Sequence, residues 1–151
     1  MKKILVAVDL MDETVNLIKK AKEIVKALDG ELCVVHSESI ENYLASDEFN
    51  SYPSMELPHM IEIRKNSIKE RLDEINKDIK KDGIKSQCVL MDGTTVDNIL
   101  EEAEKFKADI IMLGSHKHGR FYHLLFGSVH DMLIKKSDIP LIIVPPTKDK
   151  K

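Results

Sequence analysis

A chain of 151 residues, 42% hydrophobic and 32% charged and without Trp, fits one domain with a core that buries about 70% of the unfolded surface. Its net charge of −3 leaves no basic field to attract nucleic acid or an anionic membrane. No apolar run approaches the ~20 residues that a membrane span requires.

The first apolar run, Ile4 to Val8, follows Met1-Lys2-Lys3 much as a signal peptide would, but it ends at Asp9. It is read as a buried strand. Leu17, Ile18, Ala21, Ile24, Val25 and Leu28 then trace one helix face, which Asp29-Gly30 ends with a residue able to take positive φ. Leu32 to Val35 is a second strand. Ile40 to Met60, with Pro53 and Pro58, lacks periodicity and forms a long connection of the kind that is usually functional or mobile. Met55 and Met60 within it are expected to pack against the sheet.

Helical spacing returns at Ile61, Ile68, Leu72, Ile75 and Ile79, closed by Asp82-Gly83. Gln87 to Leu90 reads as a third strand. Thr94-Thr95-Val96-Asp97 resembles a capping box and opens a helix carrying Val96, Ile99, Leu100, Ala103 and Phe106. Asp109 to Leu113 is a fourth strand running into Gly114. Leu124, Leu125, Val129, Met132 and Leu133 mark a last helix, and Leu141 to Val144 a last strand before Pro145-Pro146. The domain thus spans 1–146, and the basic tail 147–151 is expected to be disordered.

Apolar strands alternating with helices argue for an α/β fold, a parallel sheet covered on both faces. Ligands of such sheets sit outside the C-terminal strand ends, where the strand order reverses. Asp9 and Gly114 follow two such ends. If their strands are neighbours, both line one crevice. Cys33 and Cys88 are too few for a disulfide framework and too far apart for a zinc site. They lie in apolar strand segments as inert buried thiols, which suits a reducing cytoplasm.

Residues 114–129, GSHKHGRFYHLLFGSV, hold three of the six glycines. Glycines let backbone N–H groups approach an anion, and a following helix N-terminus adds partial positive charge. The other reading is a basic surface crossover with glycines at its turns. His116, His118, His123 and His130 invite a metal-site reading, but no Cys or paired carboxylate joins them. Solvated or phosphate-contacting imidazoles fit better.

KKILVAVD, DGTTVDNILEEAEKFKADIIMLGSHKHG and GSVHDMLIKKSDIPLIIVP together resemble the universal stress protein family, over essentially the whole chain except about 39–60. The resemblance implies a five-stranded parallel sheet of order 3-2-1-4-5, Rossmann-like, with helices on both faces. It also implies a homodimer paired through the last strand, Ile139 to Pro145, and in many members an ATP or AMP site. A divalent cation, Mg or Mn, could accompany the phosphates.

The nucleotide-binding branch carries G-x2-G-x9-G-[ST] after the fourth strand. Gly114 matches its first position and Gly127-Ser128 its last two. Lys117 stands at the middle glycine, and Gly119 lies two residues later. Residue by residue, Asp9 matches the acidic position at the adenosine end, with Ala7 and Val8 leading into it. Ser37 falls where an apolar base contact is common. Leu113 and His116 match positions beside base and phosphates, and Val129 follows the Gly-Ser pair.

A phosphoacceptor receiver domain would need an acidic pair after the first strand and a lysine after the fifth. Here Asp12 and Glu13 are the other nearby acids, but Pro145-Pro146 follows the fifth. The turn Asp9-Leu10-Met11-Asp12-Glu13 has no glycine for a dinucleotide fingerprint. No catalytic triad or committed general base can be assembled. The expectation is a cytoplasmic homodimer that binds an adenine nucleotide and acts through protein partners, with neither nucleic acid nor membrane involved. Two alternatives stay open: a dimeric interaction module that has lost the nucleotide, and a slow ATPase.

Overall fold

The computed structural model describes residues 1–39, 56–115 and 130–147. Its elements are β1 (Lys3–Ala7), α1 (Thr14–Ala27), β2 (Glu31–Glu38), α2 (Leu57–Lys81), β3 (Ser86–Asp92), α3 (Thr95–Phe106), β4 (Ile110–Gly114), α4 (His130–Lys136) and β5 (Leu141–Val144). The five strands form one sheet in the order β3-β2-β1-β4-β5, and every pairing is parallel. A strand buried on both faces needs apolar side chains at every position, as β1 has at Ile4, Leu5 and Val6.

The strand pleat divides the core into two layers. Ile4, Val6, Leu32, Val34 and Met112 pack against Leu17, Ile18, Ala21 and Val25 of α1 and Ile68, Leu72 and Ile79 of α2. On the opposite face Leu5, Cys33, Val35, Ile111 and Leu113 pack against Val96, Ile99 and Ala103 of α3 and Leu133 of α4. Each such side chain, fully buried, contributes about 1.5–3 kcal/mol relative to exposure. Met60 is buried, but in α2, which begins at Leu57 inside the stretch Ile40 to Met60 expected to be irregular, whereas Met55 is outside the described residues.

Three local expectations change. At the end of α1 the left-handed residue is Asp29, with φ of 50°, not Gly30. Gly30 is required for closeness instead: a Cβ there would stand 2.4 Å from the Lys2 carbonyl oxygen. Thr94 takes the extended N-cap conformation before α3 but makes no side-chain capping bond, so the capping box is not formed. Strand β2 continues three residues past Val35, through His36, Ser37 and Glu38, all of them buried. The expected start of the last helix, at Leu124 and Leu125, lies outside the described residues, and α4 continues to Lys136.

Thr147, the first residue of the expected tail, is tied back to the fold. Its N–H and hydroxyl donate to the Glu13 carboxylate at 3.0 and 2.7 Å. Among the described residues, no helix is long and apolar enough to cross a membrane.

Candidate functional site

Strand β1 is flanked by β2 on one side and β4 on the other. The chain winds outward from β1 to β2 and β3, then returns to lay β4 and β5 on the opposite side. The gap between the ends of β1 and β4 is therefore the reversal point where open parallel sheets take their ligands. Ala7 stands opposite Leu113 in the ladder, so Val8-Asp9 and Gly114-Ser115 leave the sheet side by side. The condition set by the sequence is met: the two strands are neighbours, and their C-terminal ends adjoin. Ser115 N–H donates to the Val144 carbonyl at 2.8 Å, which keeps the exit of β4 tied to β5 for one residue more.

Asp9 is buried. Its Oδ1 accepts the Met11 N–H at 2.9 Å and the Thr14 hydroxyl at 3.4 Å, folding the chain from β1 into α1 by an Asx-type turn. Leu10, between them, has φ of 62°. A non-glycine residue in that region costs about 1–2 kcal/mol, so something must hold it there. Its side chain is buried, and its carbonyl accepts a hydrogen bond from Arg71 Nη1 of α2.

The end of β2 carries Ser37, an expected site residue, between His36 and Glu38, two side chains that sequence reasoning missed. His36 is fully buried, and its Nδ1–H donates to the Val8 carbonyl at 2.9 Å. The Val8 N–H in turn donates to Val35 O at 2.9 Å. Ser37 points to the α3 face, where its hydroxyl accepts from Asn98 Nδ2 at 2.8 Å and donates to the Gly93 carbonyl at 3.3 Å. Asn98 Nδ2 also donates to the Asp92 carbonyl at 2.8 Å, which fixes the β3–α3 turn against β2. Glu38 forms a forked pair with Arg64 of α2, from Nε at 3.2 Å and from Nη2 at 2.9 Å. Such planar pairing is the strong form of the ion pair. Three polar residues directly after the apolar run Leu32 to Val35 are the signal that could have pointed to this cluster.

Other charged and reactive groups lie away from the crevice. Burial pushes Cys33 up to about 11 and Cys88 up to about 12, so both stay protonated thiols at neutral pH, although only Cys33 is buried as expected and Cys88 is half-buried. At the opposite sheet edge burial alone would raise Glu31, but Lys3 and Lys85 outweigh it and hold the carboxyl below its usual range. A cleft of about 630 Å³ runs between α1 and α2, lined in part by Ile18, Arg71 and Ile75. Lys22 spans it to Asp78 and Asp82. Burial would lower that ammonium, yet the two carboxylates raise it above its ordinary value.

Among the described residues, no group of three or more His, Cys, Asp or Glu could hold a metal ion. Of the expected site, Ala7, Val8, Asp9, Leu113 and Gly114 come together at the crevice, with Ser37 one strand away. His116, Lys117, Gly119, Gly127, Ser128 and Val129, which would make its phosphate half, lie outside the described residues.

Residues 1–145 match the model of the universal stress protein family. The chain is 26% identical over 147 residues to Universal stress protein MJ0531 of Methanocaldococcus jannaschii, covering 97% of this chain and 84% of that one. The solved structure of MJ0577, described as a hypothetical protein, superposes with a TM-score of 0.76 at 24% identity, over 98% of each chain. A universal stress protein from Archaeoglobus fulgidus, solved in complex with dAMP, superposes with a TM-score of 0.63 at 24% identity, over 95% of this chain and 98% of that one. At these identities the structural likeness speaks to the fold.

Proposed function

The chain belongs to the universal stress protein family, and we propose that it binds an adenine nucleotide, ATP or AMP, in the crevice between β1 and β4. One observation carries the reading: Ala7 is opposite Leu113 in the ladder, so Asp9 and Gly114 follow neighbouring strand ends at the reversal point of the sheet. A carboxylate that accepts from hydroxyls suits a ribose, and a loop beginning in glycine and rich in cations suits phosphates. The dAMP complex of a relative with this fold supports the same class of ligand.

On this reading Asp9 receives the ribose hydroxyls, with Ala7 and Val8 leading into it. Because the Ser37 hydroxyl is engaged by Asn98 and Gly93, the tip of β2 meets the base with backbone instead of that side chain. Gly114, His116, Lys117, Gly119, Gly127, Ser128 and Val129 would serve the phosphates, with Mg or Mn as counter-ion when ATP is bound.

The protein then works as a cytoplasmic homodimer that signals through protein partners. Its outer strand β5 supports the dimer. Ile143 on that strand is an exposed apolar side chain, and an unpaired apolar edge is an aggregation risk that pairing with a second copy removes.

A second reading has one observation in its favour, Lys117 at the family's middle glycine. In that case the chain is a dimeric interaction module without nucleotide. Mass spectrometry of ligand released from freshly purified protein separates the two. ATP, ADP or AMP at near-stoichiometric amount supports the first, and its absence together with no binding of added nucleotide supports the second.

A further inference from the structure

We propose that Arg71 is a positioning residue of this crevice: from α2 it sets the peptide group through which Asp9 is held. The inference rests on the nucleotide reading for its functional meaning, and on geometry for the device itself.

Strand β1 is anchored up to Val8, whose N–H donates to Val35 O and whose carbonyl accepts from His36. Helix α1 is anchored from Thr14, which is buried and bonded to Asp9. Leu10 lies between these anchors in the left-handed region, with φ of 62°. Its carbonyl and the N–H of Met11 belong to one planar trans peptide, so they point in opposite directions and turn together. Arg71 Nη1 donates to that carbonyl, while Asp9 Oδ1 accepts that N–H at 2.9 Å.

Holding one end of the plane aims the other. If the guanidinium let go, the peptide could rotate toward ordinary backbone geometry. The Met11 N–H would then leave Asp9, and the carboxylate would lose the shorter of the two bonds that Met11 and Thr14 make to its Oδ1. Arg71 therefore governs Asp9 without standing in the crevice. A flexible cation does this less rigidly than a planar fork, although a lysine still supplies a charged donor.

Four variants test the device: Arg71→Met, Arg71→Lys, Leu10→Gly, and Leu10→Gly combined with Arg71→Met. The Met11 amide is followed by ¹H–¹⁵N NMR and AMP affinity by calorimetry. Arg71→Met should shift the Met11 amide and speed its hydrogen exchange, and should weaken AMP by about fivefold. Arg71→Lys should retain both within about twofold. Glycine takes the left-handed region without penalty, so in the Leu10→Gly background the loss from Arg71→Met should shrink to about twofold or less. An unchanged Met11 amide in Arg71→Met overturns the proposal, and so does an equal loss in both backgrounds. If the wild type takes up no AMP, the nucleotide reading fails, and the Met11 amide alone decides this one.

Discussion

The imidazole of His36 donates from Nδ1 to the main-chain carbonyl of Val8 at 2.9 Å, tying the ends of β1 and β2 together one residue before Asp9. The ring is fully buried, so this bond competes with no water. Replacing it with an apolar side chain leaves a buried carbonyl unpaired. His36→Leu should therefore destabilise the fold by about 1–3 kcal/mol, read as a lower urea midpoint at unchanged slope. A variant as stable as the wild type would mean that the carbonyl finds another donor.

Asp9→Ala removes the proposed ribose contact and the acceptor of the Met11 N–H together. ATP and adenosine should weaken alike, by about tenfold. Loss confined to phosphate-bearing ligands would show that the ligand lies the other way round in the crevice.

Ile143 is exposed on the edge strand β5, where a charge opposes pairing with a second copy. Ile143→Lys should shift the protein from dimer to monomer in sedimentation at micromolar concentration, with little change in its unfolding midpoint. A wild type that sediments as a monomer would remove the basis of this expectation.

Glu31 supplies a pH dependence. Its carboxyl is held below the ordinary value of 4.5 because Lys3 and Lys85 outweigh its burial. A depressed folded-state value means that the unfolded chain takes up its proton first as the pH falls. The stabilisation is thus fully present above 4.5 and is lost as the pH drops through the lower folded value. Glu31→Gln should be less stable than wild type at pH 7, and the two should converge in acid. Curves that stay parallel across that range would contradict the assignment.

Much of this architecture was legible because burial leaves a plain mark. Ile4 to Val8 and Leu141 to Val144 read as strands, and the spacing from Leu17 to Leu28 read as a helix, since each element hides apolar side chains with its own period. The strand order was not in that pattern; the family resemblance supplied it. At the end of β2, Ser37 was singled out through the family resemblance, but His36 and Glu38 were missed for a physical reason: their partners Val8 and Arg64 are distant in sequence. The Asp29-Gly30 turn shows a related limit. A glycine was expected to supply the positive φ, but Asp29 adopts it and Gly30 is needed for its missing side chain beside Lys2. The clamp from Arg71 to Leu10 joins residues 61 apart, and no local pattern announces it.

Calorimetric titration of the purified protein with ATP and AMP, run beside Lys117→Gly, bears most directly on the central claim. A lysine where the family has glycine exchanges a close backbone approach for a charged side chain, and a charge-assisted bond to phosphate contributes about 1.5–3 kcal/mol. The wild type should give saturable heat with both nucleotides, weakened by added salt, and Lys117→Gly should bind as well. No heat with the wild type for ATP or AMP, alongside clear binding by Lys117→Gly, would contradict that claim and leave a dimeric module whose nucleotide site is closed by that lysine.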